Sequence, residues 1–524
     1  MSESLPPTAR QLADAIALAK SAIHDEQRPQ AMAKRERDGK LSARARVAAL
    51  LDQGSFLEAG GLAGPHHDNP WNQGLTAPAD GVVTGVGQVD GRPISVLAHD
   101  FTVHGGSVGV AGSAKCNQAI ERATQAGMPL VMLVEGGGHR IQDGQNSRHF
   151  AAGSRVFHLL GMNSGWTPMV VAVLGAGFAG PSNYASLADF VVMLREQSQM
   201  GIAGPALVKA GVGEDISKED LGGAKLQVDK YGVADIGVET EAQASHVIRR
   251  FLSYLPSNSN EPPPCAESVE PTASSDRLFD LVSSNQRQVY DVCAVIDTIF
   301  DESSRFELKP TYARNIVTAF ARLDGRAVAV LANNPRHLGG KLDSRACEKA
   351  ARFVALADAY GLPLITMIDV PGFDIGSAAE ASGLARRSGR LLYEMAHATV
   401  ARLSLSLRKG YGSGYIAMGG GRSFAADFAF AWPTAEICAM SVEGAIDVAF
   451  RRDYQSAADP VARRQQLIDE TRSRIGAAQA AEGFGIDDVI DPRDTRSVLI
   501  KALASLPARR AFKGPPKRRS ISPI

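Results

Sequence analysis

Two glycine-rich loops hold the residues whose types and spacing point most directly to chemistry. GAGFAGPSNY occupies positions 175–184, and KGYGSGYIAM occupies positions 409–418. Each loop follows an apolar run and leads into a helix-like segment. Such a junction leaves backbone N–H groups without partners in the chain, and small residues let a ligand approach them. Two of these donors form an oxyanion hole, which stabilises the negative charge that develops on a carbonyl oxygen.

The first loop also matches a dinucleotide-binding fingerprint. Residues 175–180 read G-A-G-F-A-G after an apolar strand, and Glu196 follows the next apolar run. Pro181 comes immediately after the pattern, however, and the loop at 409–414 lacks it. Because a lone fingerprint is a weak signal, the sequence favours oxyanion holes over nucleotide binding.

An internal repeat relates the two loops. Asp90 and Asp324 lie in matching D-G-R turns, 234 positions apart. The same offset pairs glycines over roughly 90 residues: Gly105-Gly106 with Gly339-Gly340, Gly138 with Gly372, and Gly180 with Gly414. A constant offset over this length indicates two copies of one domain.

Each copy predicts the same α/β arrangement. A strand enters the D-G turn, a second strand leaves it, and a glycine loop leads to an amphipathic helix at 115–126 or 345–360. A buried strand and a further glycine loop follow. Strand, helix and strand in series imply a largely parallel sheet with right-handed crossovers, and ligands bind at the carboxyl edge of such sheets.

A segment rich in Pro, Ser, Asn and Glu divides the chain. It covers 256–275 and has almost nothing to bury. We predict an N-terminal domain over 1–258, a linker over 259–275 and a C-terminal domain over 276–524. The basic tail at 508–524 is interpreted as a solvated segment or a docking peptide.

Composition excludes several classes of protein. Lys and Arg total 56 and Asp and Glu total 56, so the formal net charge is zero, which argues against nucleic acid or a membrane as a partner. The sequence has neither an apolar run of about 18 residues nor a secretory signal pattern. Its five cysteines form no CxxC pair, so no metal site is predicted. We expect a cytoplasmic protein.

Successive blocks along the chain resemble those of one family. They include KLSARARVAALLDQGSFLE at 40–58, DFTVHGGSVG at 100–109, RKGYGSGYIAM at 408–418 and AWPTAEICAM at 431–440. With these blocks the sequence is similar, from about residue 30 to 510, to the carboxyltransferase (beta) subunits of biotin-dependent acyl-CoA carboxylases, such as the propionyl-CoA carboxylase beta chain. The resemblance implies an α/β fold of tandem duplicated crotonase-like (ClpP/crotonase) domains, each a ββα superhelix.

The resemblance also implies an activity. Members of this family move a carboxyl group from carboxybiotin on a carrier protein to the alpha or vinylogous carbon of an acyl-CoA, through an enolate held by backbone oxyanion holes. Biotin itself acts as the base, so neither a side-chain general base nor a metal is expected in this chain. The N-terminal half is expected to bind the coenzyme A thioester, and the C-terminal half biotin. The implied partners are a biotin carboxylase/biotin carrier (alpha) subunit and further copies of this chain, as dimers assembled into a hexamer with active sites between halves of two subunits.

The family match assigns candidate residues. The amides of Ala179 and Gly180 would form the hole of the N-terminal half, and those of Ser413 and Gly414 the hole of the C-terminal half. Ile416 lies where the family tunes acyl choice, and its apolar side chain suits a plain or hydrophobic acyl chain. The other predicted substrate-binding residues are Gly105, Gly106, Gly137, Gly138, His139, Arg140, Gly372 and Phe373.

The sequence departs from the family pattern mainly in its N-terminal half. The changes fall at Glu135-Gly136, His139, Pro181, Gln227 and Tyr231. We therefore expect an unusual acyl group with biotin handling kept. Two alternatives stay open: a biotin-linked acyl-CoA decarboxylase or transcarboxylase subunit, and a catalytically decayed structural subunit of such a complex.

The charged residues near these loops each have two interpretations. His139 could face the substrate or be an ordinary surface histidine. Arg140 could contact phosphate or simply pair with Asp143. The basic run at 34–46 could hold the CoA phosphates, since Arg and Lys suit them, or form a solvated helix face.

Overall fold

The computed structural model describes residues 7–151, 153–509 and 521. The chain forms two compact units, the first reaching Leu252 and the second beginning at Ser253. The domain and linker limits predicted above stay predictions. Most of the predicted basic tail lies outside the described residues.

Each unit contains an eight-stranded sheet. The strands of the first unit are β1 (Leu57–Ala59), β2 (Val82–Val89), β3 (Arg92–His99), β4 (Leu130–Gly136), β5 (Met169–Phe178), β6 (Phe190–Leu194), β7 (Gln199–Gly201) and β8 (Ile236–Val238). Those of the second unit are β9 (Phe306–Leu308), β10 (Ile316–Leu323), β11 (Arg326–Asn333), β12 (Leu364–Val370), β13 (Arg402–Tyr411), β14 (Phe428–Ala431), β15 (Glu436–Cys438) and β16 (Asp488–Val489). The orders are β1-β2-β3-β4-β5-β6-β8 with β7 on β5, and β16-β14-β13-β12-β11-β10-β9 with β15 on β13.

Helices connect the parallel strands. The first eleven are α1 (Ala9–Ala22), α2 (Pro29–Arg37), α3 (Ala43–Leu50), α4 (Val110–Ala126), α5 (Ile141–Gly144), α6 (Ser147–Phe150), α7 (Val156–Asn163), α8 (Gly180–Leu187), α9 (Pro205–Val212), α10 (Lys218–Gly222) and α11 (Glu241–Tyr254). Those that follow are α12 (Arg277–Leu281), α13 (Val292–Ile299), α14 (Ser344–Ala359), α15 (Ser377–Ala381), α16 (Leu384–His397), α17 (Gly412–Ala417), α18 (Val442–Ala449), α19 (Arg451–Ser456), α20 (Pro460–Arg472), α21 (Ala477–Glu482) and α22 (Thr495–Ala504). Within the described ranges, no helix combines the length and apolar character needed to cross a membrane.

The predicted hairpin and parallel ladder are both present. β2 pairs with β3 antiparallel around Asp90-Gly91, and β3, β4, β5 and β6 then pair in parallel. Asp90 and Gly91 have φ values of 50° and 75°, and their repeat mates Asp324 and Gly325 have 54° and 73°. Positive φ at both central residues is what a two-residue hairpin turn requires, which explains the Asp-Gly pair in each copy.

The repeat holds in three dimensions, with one correction. β3 and β11, and likewise β4 and β12, start and end at positions 234 apart. At the next strand the offset falls to 233, because Gly136 pairs with Gly177 while Val370 pairs with Gly410. The second copy has one residue fewer before this strand. The predicted pairing of Gly180 with Gly414 is therefore wrong, and Gly180 corresponds to Ser413.

A buried lysine supports the sheet in each unit. The Lys115 ammonium donates to the carbonyl oxygens of Ala79 at 2.9 Å and Val82 at 2.5 Å. Lys349 donates to the carbonyl of Ile316 at 2.8 Å in the same way. Burial lowers the pKa of Lys115 to about 8. Sequence reasoning missed this pair, although both lysines lie in the helices predicted to be amphipathic.

The loop after β3 packs backbone to backbone against the end of β4. Gly105 and Gly106 both have positive φ, 66° and 72°. A Cβ on Gly106 would lie 2.1 Å from the carbonyl oxygen of Glu135, whereas a Cβ on Gly105 would meet nothing within 4 Å. Gly340 repeats the close approach, 2.6 Å from the Asp369 carbonyl oxygen. Gly106 is therefore required by packing, and Gly105 by backbone conformation alone.

We expect Gly106→Ala to destabilise the protein more than the matched Gly105→Ala. Both variants place an alanine in left-handed backbone, which costs about 1–2 kcal/mol. Gly106→Ala must also displace the loop from the end of β4, which costs a further 1–3 kcal/mol or so. Denaturant titration of the two variants measures the difference, and equal losses of stability would contradict the close approach.

Candidate active site

The loop after β4 extends the sheet edge by one bridge. The Val108 N–H donates to the carbonyl oxygen of Gly138 at 2.8 Å, and the Arg140 N–H donates to the carbonyl oxygen of Val108 at 2.9 Å. The residue between them, His139, is the bridge partner of Val108. In a parallel ladder that residue directs its own N–H to the opposite side, so the His139 N–H faces the β5 side of the loop.

The second unit repeats this bridge. The Leu342 N–H donates to Gly372 at 3.0 Å, and the Asp374 N–H donates to Leu342 at 2.9 Å. Phe373 is the bridge partner of Leu342 and is half-buried. By the same argument, the Phe373 N–H faces the β13 side of its loop.

A helix begins beside each of these loops. Gly180 opens α8 after Ala179, whose φ of 60° and ψ of −120° turn the chain sharply. Gly412 has a φ of 59° and precedes Ser413 in the same way. A Cβ on Gly138 would lie 3.3 Å from the Gly180 nitrogen, so the loop and the helix start are in direct contact.

Each unit therefore has two main-chain N–H groups to compare, one in the loop and one at the helix start. Among the described residues, no hydrogen-bond acceptor is found for the N–H groups of His139 and Gly180, or for those of Phe373 and Ser413. The Ala179 N–H, in contrast, donates to the Gly201 carbonyl at 2.9 Å. This bond uses up the amide that the sequence reasoning assigned to the first hole, so Ala179 shapes the turn and is not a free donor.

Gly414 has a packing reason to be glycine. A Cβ there would lie 2.9 Å from both the Cα and the carbonyl carbon of Gly372. Its counterpart in the first unit at the 233 offset is Pro181, which has no N–H. The Gly414 N–H also has no acceptor among the described residues, so the second unit offers one more main-chain donor than the first.

A buried carboxylate stands at the end of β4. Glu135 is 1% exposed and lies 2.9 Å from Arg35, 3.2 Å from Lys40 and 2.6 Å from Arg46. Burial by itself would raise the pKa of the Glu135 carboxyl, but the charges of Arg46, Arg35 and Lys40 lower it below its ordinary value. The carboxylate is therefore ionised and joined to the N-terminal segment of its unit.

Asp369 occupies the matching position at the end of β12. It is fully buried and lies 2.9 Å from Arg408 and 3.2 Å from Lys409. Arg408 corresponds to Gly175 at the 233 offset. A Cβ on Gly175 would lie 2.4 Å from Oε1 of Glu135, so glycine makes room there for the Glu135 carboxylate.

The basic run at 34–46 thus has a structural task. Arg35, Lys40 and Arg46 bind Glu135, and Arg46 also binds Glu241 at 2.7 Å. The prediction that this run could hold phosphates is replaced for these three residues by ion pairing inside the unit. The sequence signal for their role was indirect, namely the glycine at 175 where the other copy has arginine.

Arg140 is also a positioning residue. Its guanidinium is 1% exposed and lies 2.5 Å from Asp80 and 3.8 Å from Asp143. A buried guanidinium held by carboxylates cannot reach a substrate phosphate. The prediction that Arg140 binds substrate is therefore corrected in favour of the pairing alternative, which anchors the loop just after His139.

The remaining predicted side chains border the loops. The His139 ring packs edge-on against Phe150, with centroids 5.9 Å apart, and partial burial lowers its pKa. Gly137 is exposed, and Ile416 is 44% exposed on α17. A cleft of about 520 Å³ lies beside the loop of Gly105, with His104 and Arg28 in its wall. No cluster of three or more His, Cys, Asp or Glu suited to a metal occurs in the described part of the chain.

Two mixed α/β units with this topology define a tandem crotonase-like protein. The sequence matches the carboxyl transferase domain over residues 34–521, and the chain belongs to that family. It is a carboxyl transferase of the biotin-dependent acyl-CoA carboxylase and transcarboxylase type.

Several relatives extend over almost the whole chain. The carboxyltransferase subunit of propionyl-CoA carboxylase from Haloferax mediterranei is 38% identical over 93% of this chain and 94% of its own. The alpha subunit of methylmalonyl-CoA decarboxylase from Veillonella parvula is 36% identical with the same coverage. The crystal structure of the transcarboxylase 12S hexamer, with methylmalonyl-coenzyme A and methylmalonic acid bound, matches with a TM-score of 0.92 and 34% identity over 99% of this chain and 100% of that one.

We expect Glu135→Gln to lower the melting temperature by about 10 °C. Removing one partner leaves buried cations uncompensated, which costs about 3–5 kcal/mol. The matched control is Asp453→Asn, which breaks an exposed pair with Arg463 and should leave the melting temperature unchanged. Differential scanning calorimetry of both variants measures the effect.

The same pair of variants has a pH signature. Because the folded pKa of Glu135 lies below its ordinary value, its stabilisation is present above the unfolded pKa and is lost as pH falls through the folded pKa. The difference in melting temperature between wild type and Glu135→Gln should therefore shrink below about pH 4. A difference that stays constant down to pH 3 would contradict the ion-pair assignment.

Proposed function

We propose that this chain moves a carboxyl group from carboxybiotin on a partner carrier protein to the alpha or vinylogous carbon of an acyl-CoA, using main-chain oxyanion holes. The observation that supports this proposal is the repeated pair of N–H groups that have no acceptor within the described ranges, His139 with Gly180 and Phe373 with Ser413. Two donors beside each other can bind one developing oxyanion. A reaction in which two carbonyl oxygens gain charge uses two such pairs.

Carboxybiotin, when bound, supplies both the carboxyl group and the base that takes up the alpha proton. The chain then needs to bind, orient and stabilise, not to move protons. We assign the N–H groups of His139 and Gly180 to the thioester oxygen of acyl-CoA, and those of Phe373 and Ser413 to the ureido oxygen of biotin. Both helix starts are accessible to a ligand, because the nearest side-chain atom to a Cβ position on Gly180 is 3.6 Å away and Ser413 is exposed.

The partners follow from the same proposal. A carrier protein bearing biotin and a biotin carboxylase must be supplied by other chains, as in the alpha subunits of these carboxylases. We also propose a homo-hexamer built from dimers, in keeping with the hexamer assembly of the transcarboxylase 12S structure. Exposed apolar side chains on α9 support association, since Leu207 is 65% and Val212 is 75% exposed and no residue of that helix is buried.

Ser413→Pro is the sharpest test of the second hole, because it removes the N–H while Ser413→Ala keeps it. Ser413 is exposed in the first helical turn, where proline is tolerated. We expect Ser413→Pro to lower the rate of carboxyl transfer about 100- to 1,000-fold, and Ser413→Ala to stay near wild type. The assay uses the complex with its biotinylated partner and a series of acyl-CoA thioesters.

Binding of acyl-CoA to the same variants distinguishes the two holes. If biotin is held by the second unit, Ser413→Pro still binds acyl-CoA by calorimetry. Loss of acyl-CoA binding would instead assign the thioester to this hole. Unchanged carboxyl transfer in Ser413→Pro would refute a main-chain hole at this position.

A decarboxylase or transcarboxylase subunit is the second candidate. It is favoured by the 36% identity to methylmalonyl-CoA decarboxylase alpha subunits. Incubation of the chain with a carboxylated acyl-CoA and free biotinylated carrier tests this direction. Carboxyl label that moves to the carrier would show this direction of transfer, and a native complex that contains a biotinylated carrier but no ATP-dependent biotin carboxylase would select the decarboxylase or transcarboxylase.

A catalytically decayed structural subunit is the third candidate, and it fits less well. The departures from the family pattern lie around the first loop, yet the His139 and Gly180 N–H groups there have no acceptor among the residues that the structure describes. Decay would be supported by a purified complex that assembles with its biotin partner but turns over no thioester.

A further inference from the structure

We propose that Tyr184 is a third hydrogen-bond donor at the hole of the first unit, placing its phenol hydroxyl on the thioester oxygen held by His139 and Gly180. This inference rests on the proposed function of that loop. It adds a side-chain group to a site that otherwise uses main-chain N–H groups only.

The position of the hydroxyl carries the inference. Tyr184 lies four residues after Gly180 in α8, so the two share one face of the helix. The atoms nearest to a Cβ position on Gly180 are Tyr184 Oη at 3.6 Å and Cζ at 3.7 Å, followed by the Gly138 Cα at 3.8 Å. The hydroxyl and the loop that carries His139 therefore border the same space.

The hydroxyl is free and the ring is held. In the described residues, Tyr184 Oη has no hydrogen-bond partner. The ring packs edge-on against His99, with centroids 6.3 Å apart, and against Phe157 at 5.9 Å. Tyr184 is half-buried and its Oη is open to solvent, so a ligand can reach the hydroxyl. A phenol fixed on two sides with an unused hydroxyl is suited to a ligand.

His99, which packs edge-on against the Tyr184 ring, differs from its counterpart in the second unit in a way that fits this role. In the second unit Asn333 donates to the Gly340 carbonyl at 3.1 Å and accepts from the Asp369 N–H at 3.3 Å, which ties the glycine loop to the strand end. Its repeat mate His99 is 1% exposed, and neither of its ring nitrogens has a partner within the part of the chain that the structure describes. The first unit has given up these hydrogen bonds and has a ring against Tyr184 instead.

The second unit has no counterpart of the phenol. The residue 233 positions after Tyr184 is Ala417, which is fully buried and cannot reach the loop. The fold therefore does not require an aromatic hydroxyl at this position.

The Tyr184 hydroxyl would donate a hydrogen bond without transferring its proton. Burial raises the pKa of the Tyr184 phenol, so it stays protonated and can only donate. Hydrogen bonds to a charged acceptor are stronger than those to a neutral one, so the bond would strengthen as the enolate oxygen develops charge. Tyr184 should thus act on turnover more than on ground-state binding.

The test compares Tyr184→Phe with Tyr393→Phe in the complex with its biotinylated partner. Tyr184→Phe keeps the ring and its contacts, so its melting temperature should match wild type. We expect kcat for carboxyl transfer to fall about 10- to 100-fold, with KM for acyl-CoA changed less than threefold. Tyr393 is 58% exposed in the other unit, and its variant should keep both constants.

Other outcomes overturn the inference. Wild-type kcat and KM in Tyr184→Phe would show that the hydroxyl is unused, as would a Tyr184→Ala variant that merely accepts longer acyl chains while Tyr184→Phe stays normal. A rise in KM alone would make Tyr184 a binding residue and not a donor to the developing charge. If the wild-type complex transfers no carboxyl group to any thioester, the proposed function fails, and this inference fails with it.

Discussion

One buried carboxylate in each unit determines where the glycine loops run. Glu135 and Asp369 lie at the ends of the central strands β4 and β12, just before the chain leaves each sheet for the loop. A carboxylate at such a depth is tolerated only when cations and hydrogen-bond donors surround it. Meeting that requirement fixes the neighbouring strand ends and, in the first unit, the N-terminal segment. Because the strand end is held by its side chain, the loop can pack its backbone against the next helix. One N–H in the loop and one at the helix start then have no acceptor in the described structure.

The two units meet the requirement from different directions. In the second, Arg408 comes from the neighbouring strand, and its side chain fills the space next to Asp369. In the first, the equivalent residue is Gly175, and the space is taken by Glu135 with arginines that arrive from the start of the chain. Glutamate in place of aspartate, and glycine in place of the strand arginine, therefore compensate for each other in the first unit. It makes the N-terminal segment a structural part of the first unit, which accounts for a basic run that would otherwise suggest phosphate binding.

Most of the architecture was predictable from the sequence, because periodicity and turn chemistry are local signals. The Asp-Gly turns, the parallel strands and the two glycine loops were all predicted and are present. The errors concern register and partners. Glycines at both 180 and 414 suggested an unbroken offset of 234, but the structure pairs Gly180 with Ser413. In a glycine-rich loop a glycine is found at either offset, so the sequence does not reveal the one-residue deletion. The Ala179 N–H donates to Gly201, and Arg140 pairs with Asp80. Both contacts join segments that are separated in the chain, so the sequence did not reveal them. Tyr184 was missed because it matches no motif.

On the proposed function, main-chain donors also explain why one fold can host relatives named as carboxylases, decarboxylases and carboxyltransferases. On the proposed function, a hole that stabilises an enolate lowers the barrier in both directions equally, so the direction must be set by the partner that loads or unloads biotin. The residues around the hole are then free to vary as long as the backbone path is kept. One such variation is Pro181, which takes the place in the first unit that Gly414 has in the second. Selection for a particular thioester would act on side chains that border the hole without forming it. In the first unit those are the aromatic groups around Gly180, and a hydroxyl among them is the one change that could alter chemistry as well as fit.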